Sequence, residues 1–256
     1  LGLALLANQL HGAPIILEIN DLETVVGSPK ATDRHSEITL DQMNDADAEL
    51  LTPYSDLWSR LMDPVAKTVP TLVTHNKNID AHFGGRCLYM RNLKDEAVHN
   101  RDLYDRDAVR AELGFGPEDR GGLFGGLLRK HKGIYELVEL VDRLDDPRYK
   151  LLFVGSRPTP DQKQLMKRYG DQVRILPPQD REAMARINYA ADLVILWLDP
   201  DVPASHYQMP YKATDAFAMG PSIIANDISD LGPLAAQGYL RIAPFGDWDR
   251  MTEVVR

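Results

Sequence analysis

The chain has 256 residues, of which 44% are hydrophobic and 26% charged, and its formal net charge is −9. That balance suits a globular protein of one large or two small domains and argues against a general nucleic-acid binder. The single cysteine, Cys87, excludes an intrachain disulfide framework and points to a reducing compartment, while no apolar run is long enough to span a bilayer.

The opening LGLALL lacks the basic flank and cleavage site of a signal peptide. It reads as the end of a helix already under way, so the chain is expected to be a fragment. Residues 14–20 (PIILEIN) predict an apolar strand ending in Asn20 and Asp21, and residues 27–45 a polar loop. A short strand over 48–52, a helix over 54–62 and a strand over 71–74 follow, and HNKNID reads as a polar turn. Residues 84–120 are charge-rich, with a short helix over 106–113, and read as a connector. The expected division is thus a partial first domain over 1–85, a connector over 86–120 and a second domain over 121–256.

The second half alternates regularly. Strands are predicted over 123–126, 149–154, 173–176, 193–198, 222–225 and 240–243, with helices over 133–144, 160–168, 180–190, 210–218 and 229–236 between them. Such alternation implies an α/β fold with a parallel sheet and right-handed crossovers. LVILWL is apolar throughout, as a central strand covered on both faces requires.

One βαβ unit carries the chemistry. Its first strand ends in Gly125-Gly126, and a basic cluster of Arg129, Lys130, His131 and Lys132 follows before the helix. Open parallel sheets bind ligands at the carboxyl ends of their strands, so this cluster points to an anion, most simply a phosphate. The competing reading is a solvated charged loop, with Gly126 an ordinary turn residue.

From Thr71 to about Phe245 the order of motifs resembles retaining glycosyltransferases of the GT-B fold, family 4 type. VTHNKNIDAHF resembles the interdomain pattern V-x-x-N-G-V-D-x-x-x-F: Val73, Asn76 and Phe83 are in register, Lys77 replaces the glycine, and Ile79 (for Val) and Asp80 stand one position later. Gly126, Arg129, His131, Lys132 and Gly133 match the phosphate-loop variant G-x-x-R-x-H-K-G. LLFVGS, VRILPPQDREAMARINYAADLVILW and PYKATDAFAMGPSIIAND resemble three further segments in the family's order.

The resemblance implies two Rossmann-like doubly wound domains, the N-terminal one incomplete, and transfer of a sugar from a nucleoside-diphosphate donor with retention. The acceptor would be a glycan, a lipid-linked sugar or a small molecule. It implies no metal or other cofactor, no nucleic-acid partner and a cytoplasmic location, with peripheral contact at the inner membrane face left open. Arg129 and Lys132 would stabilise the leaving diphosphate; Gly126, Lys212 and Arg174 would line the donor site. The family's Glu-x7-Glu pair falls on Tyr207 and Asp215, so Asp215 would hold the ribose hydroxyls, and His206, Gln208 or a main-chain group would take over the contacts of the missing first acid. Surface charge is the rival reading for Lys212, and a cap or exposed acid for Asp215. The missing acid also leaves room for a non-catalytic nucleotide-sugar binding module, and the shared fold for a nucleotide-sugar epimerase.

Overall fold

The computed structural model describes residues 2–22, 25, 56–126 and 134–256. The expected loop over 27–45 and strand over 48–52 lie outside the described residues. Contacts divide the chain into two units: residues 1–91 with 201–209, and residues 92–200 with 210–256.

The first unit holds α1 (Gly2–His11), β1 (Ile16–Ile19), α2 (Asp56–Thr68), β2 (Thr71–Thr74), α3 (Lys77–His82) and β3 (Leu88–Tyr89). The three strands form a parallel sheet in the order β1-β2-β3. Leu72, Ile79 and Phe83 pack with Val69 and Leu22 into its core. The polar turn expected at HNKNID is in fact the start of α3. Asn76 is its N-cap, accepting from the Ile79 amide at 2.9 Å, and Ile79 is fully buried. A good cap and one apolar anchor convert a polar stretch into a helix.

The second unit holds α4 (Arg106–Glu112), β4 (Arg120–Gly125), α5 (Ile134–Leu144), β5 (Tyr149–Val154), α6 (Pro160–Tyr169), β6 (Val173–Leu176) and α7 (Arg181–Ala190). It continues with β7 (Leu193–Leu196), α8 (Tyr211–Met219), β8 (Ser222–Ala225), α9 (Leu231–Ala236), β9 (Arg241–Ile242) and α10 (Trp248–Val255). All pairings are parallel, in the order β6-β5-β4-β7-β8-β9. In this doubly wound arrangement the order reverses between β4 and β7, where ligands bind at the carboxyl ends. The apolar run of β7 is buried at every position, as its composition predicts. Trp197, which follows it, donates its indole N–H to the Ala243 carbonyl at 3.0 Å and packs on Trp248 and Phe245. α10 has no counterpart among the predicted elements, although Met251, Val254 and Val255 close the core beside α5.

The segment read as a connector is tied into this unit by Asp192. Its Oδ1 accepts from Arg106 at 2.6 Å, and its Oδ2 from Arg110 at 2.8 Å and from the Gly121 amide at 2.7 Å. Arg110 is buried and also donates to the carbonyls of Ala190, Gly116 and Asp119. Burial by itself pushes the Asp192 carboxyl up. The Gly121 amide and the Arg110 and Arg106 guanidiniums outweigh it and hold the group below the ordinary carboxylate range.

Asp192→Asn should therefore cost about 2 kcal/mol at neutral pH, the scale of a charge-assisted hydrogen bond. Because the folded state lowers this pKa, the contribution is full above the unfolded value of about 3.9 and fades as the pH falls through the folded value. Urea titrations should show a gap between wild type and variant at neutral pH that narrows below about pH 4; an equal gap at both ends would contradict this assignment.

Candidate functional site

The carboxyl ends of β4 and β5 carry bare backbone. Gly126 follows β4 at φ +122°, and its amide donates to the Val154 carbonyl at 2.6 Å. Gly155 follows β5 at φ +123°, and a Cβ placed on it would lie 2.9 Å from the carbonyl carbon and oxygen of Gly126. Both positions demand a conformation that side chains resist, and the second also lacks the space for one. At the adjoining ends of β7 and β8, Asn226 extends the ladder with its side chain. Its Oδ1 accepts from the Leu198 amide at 2.9 Å and its Nδ2 donates to the Leu198 carbonyl at 2.8 Å.

Helix α8 brings charge to this floor. Pro210 is its N-cap, and no side chain caps its first turn. First-turn amides and the positive end of the dipole favour an anion there. Lys212 reaches across β4: its Nζ stands 3.7 Å from the centre of the buried Phe124 ring, and its Cε would be 3.8 Å from a Cβ on Gly126. The ring face stabilises the ammonium while holding it near the glycines.

Asp215 lies three residues on, on the same face of α8. Its Oδ1 is 2.5 Å from Lys94 Nζ and 3.3 Å from His99 Nε2, and the His99 side chain is only 5% exposed. Lys94 Nζ also sits 5.5 Å from the centre of the Tyr211 ring. His99 Nδ1 faces the Asp95 carbonyl at 3.3 Å, so both ring nitrogens look toward oxygens. A neutral ring can donate to only one of them at a time.

Gly126, Gly155 and Lys212 are thus grouped at one end of one sheet, and Asp215 lies one turn further along α8. The Arg174 guanidinium donates to the Leu113 carbonyl and covers Gly114, fastening the turn after α4. Tyr207 and Gln208 belong to the first unit. Tyr207 closes a 3-10 turn over Pro203–His206 and packs on that unit's apolar cluster, and Gln208 donates to the Ala204 carbonyl at 3.1 Å. The His206 carbonyl accepts from Asn78 Nδ2 at 2.8 Å. Arg129 and Lys132 lie outside the described residues. Burial, and then the charge of Asp80, push the Cys87 thiol up, which makes it a poor nucleophile.

Lys94 and His99 escape sequence reasoning. They lie far from Asp215 along the chain, in a stretch whose polar composition reads as linker, and no local spacing joins them to it. Gly155 had a signal in the LLFVGS motif, but only the coordinates show its peptide-on-peptide contact with Gly126.

Comparison with known proteins bears on this arrangement. Residues 119–254 match the family described as "Glycosyl transferases group 1". A D-inositol 3-phosphate glycosyltransferase from Mycobacteroides abscessus is 30% identical over 135 residues, covering 50% of this chain and 29% of that protein. HepE from Anabaena, solved with UDP and glucose, superposes with a TM-score of 0.67 at 14% identity over 99% of this chain and 64% of that one. Sucrose-phosphate synthase from Thermosynechococcus elongatus gives 0.67 at 18% identity, over 99% of this chain and 60% of that one. The chain therefore spans less than two thirds of the length of each of these proteins. At these identities the structures bear on the fold alone, and they agree with the α/β, GT-B-like architecture expected of the sequence. No helix among the described residues is long and apolar enough to cross a membrane.

Gly155→Ala should destabilise the protein by about 1–3 kcal/mol through backbone strain, with the contact on Gly126 adding to it. Gly126→Ala faces a similar φ, but its nearest described neighbour, Lys212 Cε at 3.8 Å, is at ordinary contact distance, so it should cost less. Thermal unfolding of the two variants checks the ranking; equal losses would mean the Gly126–Gly155 approach is not the tight contact described.

Proposed function

The chain belongs to the glycosyl transferases group 1 family, and from that premise we propose that it takes part in moving a sugar from a nucleoside-diphosphate donor to a glycan, lipid-linked or small-molecule acceptor, with retention at the anomeric carbon. The observation that carries the donor reading is the grouping of Gly126, Gly155 and Lys212 at the reversal of strand order in the second unit, with Asp215 one turn further along α8. In such a transfer the bond from the anomeric carbon to the diphosphate breaks, negative charge grows on the leaving oxygens, and the sugar gains oxocarbenium character. The chain's task on the donor side is to meet that charge.

Lys212 supplies a cation held in place by an aromatic face, and the first turn of α8 supplies amides. The glycine floor lets phosphate oxygens approach the backbone. Arg129 and Lys132 are assigned the remaining charge, Arg129 as a planar fork and Lys132 as a point charge. Each well-placed donor to a developing anion is worth about 3 kcal/mol when water is excluded. Asp215 takes the ribose.

A second reading is favoured by one residue. The motif position of the first acid is Tyr207, whose phenol is packed on an apolar cluster and replaces a carboxylate. A binding module that retains its donor without transferring it would tolerate that replacement.

A thermal-shift panel with UDP, GDP, dTDP, ADP and CMP separates these. A ligand at 100 times its dissociation constant adds about 2.7 kcal/mol of stability. One diphosphate should shift the wild-type protein, and Lys212→Ala should lose most of that shift without losing its fold. No shift with any nucleotide would reject the donor site. A shift with no release of nucleoside diphosphate from the matching nucleotide sugar, across a panel of glycan, lipid-linked and small-molecule acceptors, would favour the binding module.

A further inference from the structure

Asp215 does not present a symmetrical carboxylate. Each carboxylate oxygen offers about two lone-pair sites. On Oδ1 both are approached, by Lys94 Nζ at 2.5 Å and His99 Nε2 at 3.3 Å. The nearest approach of both nitrogens is thus to the same oxygen. The side chains of Asp215 and Lys94 are 22% and 18% exposed, so the pair can be reached by a solute, whereas His99 is enclosed at 5%.

This matters for a vicinal diol. A carboxylate with two open oxygens can accept from both hydroxyls at once. Here Oδ1 is the oxygen nearer to both nitrogens, whereas the Lys94 ammonium carries three N–H donors and can turn only part of them to Oδ1. A hydroxyl both donates and accepts, so one hydroxyl can donate to Oδ2 while its neighbour accepts from Lys94.

We propose that Lys94 is a specificity-determining residue that reads the ribose of a nucleoside diphosphate jointly with Asp215, one hydroxyl on Asp215 Oδ2 and the other on Lys94 Nζ. His99 acts as a positioning residue, holding the carboxylate from its enclosed side. The inference rests on the donor-site reading above. It adds a residue from the 92–100 segment that no motif carries, and it makes recognition of the two hydroxyls chemically unequal: one is read as a donor, the other as an acceptor.

The inequality can be measured. The probes are the tightest binder among UDP, GDP and ADP, its 2′-deoxy and 3′-deoxy analogues, and inorganic pyrophosphate. Calorimetric titrations would use wild type, Lys94→Met and Lys94→Arg. Wild type should disfavour both deoxy analogues, each on the order of tenfold. In Lys94→Met the discrimination against one analogue should collapse to near unity, while that against the other persists through Asp215. Lys94→Arg, which keeps a charged donor, should retain part of the lost discrimination. Pyrophosphate affinity, which does not involve the ribose, should change little, and an unaltered melting temperature would show the variant folded.

Equal weakening of the ribonucleotide and both deoxy analogues in Lys94→Met would overturn the inference, because a merely structural lysine affects all three alike. Unchanged selectivity would overturn it too, leaving the donor site intact. No binding of any nucleoside diphosphate to wild type would overturn the donor-site reading and this inference together.

Discussion

The second unit depends on one carboxylate. Asp192 sits at the amino end of β7, and its backbone bonds to β4 through Gly121 and to β8 through Ser222. Its side chain adds Arg106, Arg110 and the Gly121 amide. Two guanidiniums from α4 thereby lock that helix to the central strands. Arg110 is buried and would be costly without its partners, because an ionised group taken from water is tolerated only when its donors are met. The amino ends of the central strands are consumed by this network.

The carboxyl ends are built on the opposite principle. They hold their place through glycine backbone, an asparagine that mimics a strand residue, and a lysine seated on an aromatic ring. Rigid support at one pole allows sparse chemistry at the other. That pole offers peptide groups and an ammonium, which suit an anionic ligand better than an apolar or cationic one.

Much of the second unit was legible because each of its strands pairs a buried side with short, punctuated ends. Residues 149–154, 173–176 and 222–225 form strands at the expected bounds. α3 was not legible as a helix, because its stability comes from the Asn76 cap and from Ile79 being buried, and HNKNID shows neither by composition. α10 was missed for a similar reason: Met251, Val254 and Val255 become apolar-facing only against α5 and the sheet. Gly126 and Lys212 fall, as the motifs imply, at a strand end and in the first turn of a helix, and Asp215 lies one turn further along that helix. Arg174 stands in β6 as expected, and its side chain reaches the Leu113 carbonyl, a direction not written in strand spacing. Lys94 and His99 are joined to Asp215 by tertiary packing alone.

The most direct test of the central claim is a crystal structure of the protein with the nucleoside diphosphate that stabilises it most. The account predicts the diphosphate above Gly126 and Gly155, within reach of Lys212, and the ribose against Asp215. A nucleotide bound elsewhere in the second unit, or one whose diphosphate points away from Gly126 with its ribose far from Asp215, would contradict it.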